Sequence, residues 1–402
     1  MVGETWQISQ TSIFTAVTKV FDTDDLLIEI LLRVGFPTTL VRAAAVCRRW
    51  LHHASDHAFL RRFRELDPPC LLGFYVNPYR PRTIPRFVPM LPQPLELAAV
   101  IRRASSSLDT YEIKGYFTYM ENCWDDDVLI CHYNNDQGIS TTGLHSLLCP
   151  KTQMGTIFPG LPRPPPRDDR LCNYQQFLSK KEKGGRMSYF YLLMQCGADL
   201  PGETVVHVYI LRDGVWCMQN FPVNQIPGLR LEPKSLLVDD KIYMPAAERD
   251  ILVFDLVASS ISTMHLPHGV EYGYRKTMFA RAANDSANLY LVHLKEYQIC
   301  VWLRNVDDWL VMDTISLREM CASLSMLRHN ASLGLKHVGD NAEFVFLELS
   351  PYILFWDVKR RTVCKLYEMK KEDPPWSGIF PFMMIWPPKF PVFNEVPAMF
   401  GS

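Results

Sequence analysis

Residues 21–65 read FDTDDLLIEILLRVGFPTTLVRAAAVCRRWLHHASDHAFLRRFRE, and the rest of the chain is ordered around them. Asp22 is placed to open a helix, its carboxylate accepting from a first-turn N–H, and Asp24 and Asp25 add negative charge where the helix dipole favours it. Leu26, Leu27, Ile30, Leu31 and Val34 recur at helical spacing and form one broad apolar stripe. Gly35 is a C-terminal glycine and Pro37 blocks continuation. Thr38 or Thr39 caps a second helix carrying Leu40, Val41, Ala44 and Ala45. A third stretch carries Trp50, Leu51 and Ala54. A fourth starts near Ser55 or Asp56 and carries Phe59, Leu60 and Phe63.

About 45 residues bury little core, so a module of this size needs a metal, disulfides or a partner. Cys47 is its single cysteine and no metal-ligand spacing occurs in it. A partner is what remains, and that partner could equally be the rest of this chain, with the helices as a packed subdomain.

The run D-D-L-L-x-E-I-L-x-R-V, then L-V-R-A-A-A-V-C-R-R-W, then Ser55-Asp56-x-x-Phe59, resembles an F-box over roughly the first 65 residues. The resemblance implies a three-helix module that docks onto a Skp-type adaptor, and through it a cullin, in an SCF-type ubiquitin ligase. The implied adaptor-binding residues are Leu26, Leu27, Ile30, Leu31, Leu40, Val41, Val46, Cys47 and Trp50, with Trp50 also anchoring the module's own core. F-boxes usually begin Leu-Pro, and here the matching positions are Asp22-Thr23; Phe21 supplies part of the missing apolar contact.

The whole chain has 402 residues, enough for two or three domains. Apolar content of 48% with 21% charged residues marks a folded protein. A net charge of −1 leaves no basic face for nucleic acid. The 11 cysteines include no CxxC, which fits free thiols in the cytoplasm or nucleus. No apolar run is long enough to span a bilayer, and the N-terminus lacks the basic segment of a secretory signal.

Residues 1–20 read as a loose tail. Residues 66–104 form a packed arm with a short helix near Leu95–Ala104, and residues 68–94 hold eight prolines, which argue against a helix or a central strand. From 105 to 402 short alternating runs suggest a β domain, which the resemblance implies binds a target protein. Val206–Arg212 leading to Trp216 parallels Ile299–Arg304 leading to Trp309. Ile251–Leu256 leading to Ile261 and His265 parallels Ile353–Val358 leading to Val363 and Leu366. Leu147–Thr152 is a weaker copy. Hairpins repeated in this way build a propeller. Its length suggests about six blades, with a β-sandwich pair as the alternative. The pattern resembles the kelch-like β-propeller that follows the F-box in plant F-box proteins. The fold expected is thus mainly β with a small all-α N-terminal module.

Cys123, Cys131, His132, His145 and Cys149 lack the short paired spacing of a zinc site. Asp125–Asp127 reads as a hairpin turn, and the Lys180–Gly185 run as a solvated loop. His265-x-x-His268 lacks the glutamate of a metalloprotease helix. There is no phosphate loop and no nucleophile elbow. The chain is therefore expected to be a non-catalytic adaptor without metal or cofactor. The aromatic, proline-rich segment 374–397 is expected to pack along the parent domain, with one strand closing the ring.

Overall fold

The computed structural model describes residues 22–67, 70–78, 80–109, 117–124, 127–134, 138–146, 158–162, 171–182, 187–197, 204–219, 221, 234–246, 249–282, 288–305, 308–318, 333–370, 373 and 376–390. The N-terminal tail, Asp125-Asp126 and the repeat copy at 147–152 lie outside these.

The module contains four short helices: α1 (Asp24–Leu32), α2 (Pro37–Ala44), α3 (Arg48–Ser55) and α4 (His57–Leu66). Thr23, not Asp22, is the N-cap of α1, and Phe36 rather than a threonine is the N-cap of α2, with Pro37 at its first position. Proline at that position has no N–H to leave unpaired, and its φ is already helical. α1 ends at Leu32 with Arg33 as its C-cap, and Gly35, two residues further on, turns the chain at φ +77°, in the left-handed region that glycine favours. Asp56 is extended, breaks the chain between α3 and α4, and accepts from the Phe59 N–H at 2.9 Å. The fourth helix thus starts where the sequence placed it, and the cap explains four helices where the F-box resemblance implied three.

The β region consists of β1 (Leu71–Pro78), β2 (Arg86–Pro89), β3 (Phe117–Trp124), β4 (Asp127–Asn134), β5 (Gly138–Ser146), β6 (Leu171–Lys181), β7 (Met187–Gly197), β8 (Thr204–Arg212), β9 (Val215–Gln219), β10 (Leu236–Val238), β11 (Lys241–Pro245), β12 (Asp250–Asp255), β13 (Ser260–His265), β14 (Thr277–Arg281), β15 (Leu289–Lys295), β16 (Gln298–Asn305), β17 (Asp308–Ser316), β18 (Leu333–Val338), β19 (Phe344–Leu349), β20 (Tyr352–Asp357), β21 (Thr362–Glu368) and β22 (Trp376–Met383). Five sheets are antiparallel meanders of consecutive strands: β3–β5, β6–β9, β10–β13, β14–β17 and β18–β21. Among the described residues these make five propeller blades, where length alone suggested about six. The remaining sheet, ordered β2-β1-β22, draws on both ends of the β region and fills the gap between the last blade and the first, because β22 lies beside β18 on one side and β3 on the other.

The internal repeats correspond to one position in the blades. Strands β8–β9, β12–β13, β16–β17 and β20–β21 are each the outer hairpin of a four-stranded blade. The recurring aspartate turns the chain: Asp255 accepts from the Val257 and Ala258 N–H groups, and Asp357 from the Arg360 N–H. Asp213-Gly214, both at positive φ, make the tight turn between β8 and β9.

The arm differs from expectation. Residues 71–77 are free of proline and form the central strand of the composite sheet, with prolines confined to its flanks and to the paired strands. Pro381 sits in β22, the edge strand, where a missing N–H costs no ladder bond. At Gly73 a Cβ would lie 2.3 Å from the Phe87 ring, so β2 reaches its place only because that side chain is absent. The short helix α5 (Ala98–Ser106) follows a 3-10 turn at Leu95–Leu97 and packs Leu97, Ile101 and Ala104 against Tyr75, Met120, Val128 and Phe382. Lys180 and Lys181 belong to β6 rather than a loop, and Lys180 pairs with Asp240 and Glu182.

The inner strands β6, β10, β14, β18 and β22 share a direction. Arg281 at the end of β14 donates to the carbonyls of Leu237 and Ser179 near the ends of β10 and β6, while Lys276, just before β14, donates to the carbonyl of Leu333 at the start of β18. The chain enters β1 from α4, and β22 leaves beside that entry, with Met384 N–H donating to Cys70 O at 2.9 Å. The helical module therefore sits at the end of the ring where the inner strands finish. The other end, where they begin, faces away from it.

Candidate interaction surface

The expected stripe on α1 divides in two. Leu27 and Leu31 are completely buried and join Leu32, Leu40, Ala44, Ala54, Phe59 and Phe63 in the module's core. Leu27, Leu31 and Leu40 therefore hold the helices together and offer no surface, which corrects their assignment as contact residues. Leu26 is 45% exposed and Val46 65% exposed, and Cys47 beside it is exposed as well. Ile30, Val41 and Trp50 are half-buried, with Trp50 packed on the core. Helical geometry accounts for the split. Residues 26 and 30 share a face one position away from 27 and 31, hence about 100° around the helix axis.

Polar contacts hold the two exposed parts at one end. Arg49 donates to Asp24 Oδ1 at 2.6 and 2.9 Å and to the Asp22 carbonyl at 2.9 Å, and His53 Nε2 is 3.1 Å from the same carboxylate. Arg49 lies in the first turn of the helix that follows Val46-Cys47, so this clip brings that turn to the N-terminal end of α1, where Leu26 lies. The Arg49 hydrogen bond, with smaller help from His53, holds the Asp24 carboxyl below the usual carboxylate range. Glu29 is likewise lowered, first by Arg62 of α4, whose Nη2 donates at 2.9 Å. These exposed pairs orient helices and add little stability.

The module is not independent of the propeller. Trp386 and Phe390, beyond β22, pack against its core, and the Trp386 ring stacks on Phe63 at 5.9 Å and 9°. Phe36, between α1 and α2, packs into the core of the composite sheet. Arg64 of α4 lies close enough to Asp340, in the turn after β18, to act on its charge.

Of the cysteine–histidine group, Cys131 is completely buried in an apolar cluster with Phe177 and Tyr191, and the side chains of Cys123, His132, His145 and Cys149 lie outside the described residues. His265 pairs with Asp250 on an outer hairpin, 2.8 Å from its carboxylate. Among the described residues no group of three or more His, Cys, Asp or Glu is placed to hold a metal.

An F-box-like segment matches residues 24–65, and the family described as F-box protein AT5G49610-like, beta-propeller, matches residues 119–390. The chain belongs to that family of F-box proteins. An F-box joined to a propeller is the layout of a substrate-recognition adaptor, and the F-box implies binding to a Skp-type adaptor. No curated protein matches the chain. Among solved structures it is similar to apo AztD from Citrobacter koseri, at 9% identity over 67% of this chain and 63% of that one, with a TM-score of 0.27. It is also similar to the Cps50 (Swd1) beta-propeller domain of Myceliophteria thermophila, at 9% identity, 63% and 87% coverage and a TM-score of 0.34. A putative 6-phosphogluconolactonase of Bacteroides fragilis gives 9% identity, 67% and 74% coverage and a TM-score of 0.33. Likenesses this weak carry no argument about what the F-box protein does. No helix among the described residues is long and apolar enough to cross a membrane.

Proposed function

We propose that this F-box protein is the substrate-recognition subunit of an SCF-type ubiquitin ligase of the plant kelch-like kind, working in the cytoplasm or nucleus. The F-box docks on a Skp-type adaptor carried by a cullin, and the propeller holds a target protein. The chain makes and breaks no bonds; it raises the local concentration of target lysines near a ubiquitin-charged enzyme. The observation that carries this reading is the exposed apolar patch of Leu26, Val46 and Cys47 on a segment matched as an F-box. Its adaptor-facing residues are Leu26, Ile30, Val41, Val46, Cys47 and Trp50. Apolar surface left at one end of so small a module is what a partner would cover.

Pull-down of the full chain with a Skp-type adaptor tests it. Stoichiometric binding is expected, along with target accumulation when the proteasome is blocked. If no adaptor binds, the ligase reading fails. Adaptor binding with unchanged target abundance would leave a scaffold that does not direct degradation.

A further inference from the structure

Two leucines beside the F-box are almost bare. Leu91 is 76% exposed and Leu95 88% exposed, in the stretch MLPQPLE at 90–96 that joins β2 to the turn before α5. Neither belongs to an apolar cluster among the described residues. The segment that carries them is nevertheless fixed. The Met90 N–H donates to the Leu72 carbonyl of β1 at 3.0 Å, and the Leu97 N–H to the Pro94 carbonyl at 3.1 Å. Leu97 is completely buried and packs with Ile101 and Tyr75 in the core of the composite sheet. Pro92 and Pro94 restrict φ between these anchors. A single exposed leucine is ordinary, but two held close together on a stiff loop form an apolar patch. Because the loop is already ordered, a partner that covers it gives up little freedom in doing so.

The place of the loop points to its partner. The turn at Leu95–Leu97 lies against α2 of the F-box, and Phe36, the N-cap of α2, packs in the same core as Leu97. The other end of α2 leads into Val46 and Cys47, both exposed. The helix between these ends is 8 residues long, which spans about 12 Å. Along it Val41 is half-buried, and Ala45, one turn further on the same face, is exposed. Apolar residues therefore continue from Val46 along α2 to the loop.

We propose that Leu91 and Leu95 extend the adaptor-binding surface beyond the F-box, so that a Skp-type adaptor seated along α2 also touches the propeller domain. The inference deepens the adaptor reading and rests on it. Its basis is the continuity of the loop with the face which that reading gives to the adaptor. One partner seated on both parts would fix the angle between adaptor and propeller, and with it the position of a bound target.

The test is a binding titration of the full chain with a purified Skp-type adaptor. Leu91→Ser with Leu95→Ser changes two exposed side chains, so circular dichroism and the thermal midpoint should stay as in wild type. The Kd for the adaptor should rise about tenfold. Leu95→Ser alone serves if the double variant is unstable, with a rise of about threefold expected. Val257→Ser removes a side chain that is 77% exposed in the turn between β12 and β13, in the blade across the ring from the composite sheet, and should leave Kd unchanged. If wild type binds the adaptor and the serine variants bind it equally well, the proposal falls and the ligase reading stands. If wild type does not bind, both fall. Sedimentation equilibrium covers a rival occupant. A wild-type dimer that the double variant loses, with adaptor affinity unchanged, would give the leucines to a second copy of this chain and overturn the proposal.

Discussion

At the residue scale, burial separates scaffold from surface among side chains that look alike in sequence. Leu27→Asp with Leu31→Asp puts charges into a closed core. Loss of one such leucine to alanine alone costs about 2–5 kcal/mol, so the module is expected to unfold by circular dichroism. Any loss of adaptor binding by that variant would then say nothing about the contact face. Leu26→Asp with Val46→Asp changes exposed positions, and here the helices should persist while adaptor affinity falls about tenfold or more in a pull-down titration. Retained binding by this second variant would place the interface elsewhere.

Asp24 makes a separate prediction with a definite sign. Its folded pKa is depressed, first by Arg49. Its contribution is therefore fully present above the unfolded value and is lost as pH falls through the folded one. Acid should loosen the α1–α3 contact before the core melts. In Asp24→Asn that acid limb should be missing from hydrogen exchange at the start of α1. An unchanged acid profile would mean that the Arg49 clip is not what orders this end.

At the element scale, the helices of the F-box were legible because two signals coincided, helical spacing and the Gly35 stop. The α2 cap was not. Phe36 has no capping oxygen, so sequence favoured the threonines after it, whereas Pro37 starts the helix by its fixed φ. The outer hairpins of four blades were legible because a β-rich run, a turn aspartate and a following apolar strand recur together. Strand β1 was hidden by proline density on both sides of a short proline-free run.

The segment after β22 found a different partner from the one expected. Its aromatic residues signalled packing along the β domain, but Trp386 and Phe390 pack on the helical module. Trp386 stacks on Phe63 of α4, and such a ring pair contributes about 0.5–1.5 kcal/mol beyond the area it buries. Trp386→Ala should therefore loosen the F-box from the propeller without unfolding the blades. Limited proteolysis should cut sooner between α4 and β1, and the module should show faster hydrogen exchange. If the cleavage pattern is unchanged, Phe36 and Phe390 are sufficient to hold the module.

At the scale of the whole molecule, the composite sheet makes both ends of the β region necessary to each other. Strand β22 has β1 as its sheet partner, with pairs from Leu71↔Met383 to Pro78↔Trp376. The sheet also closes the gap between the blade β18–β21 and the blade β3–β5. A fragment beginning at 105, where the change of texture in the sequence suggested a boundary, lacks β1, β2 and α5. It leaves β22 with an unpaired edge and uncovers Met120, Val128 and Ile130, which pack on α5 and Tyr75. A fragment beginning at 68 keeps all of these. Residues 68–402 should give a single cooperative thermal transition, lowered relative to the full chain because Trp386 and Phe390 lose the F-box core. Residues 105–402 should aggregate or melt over a broad range, since an exposed apolar edge strand recruits other chains. Equal thermal midpoints for the two fragments would show that five blades close by themselves and that the composite sheet is an ornament on them.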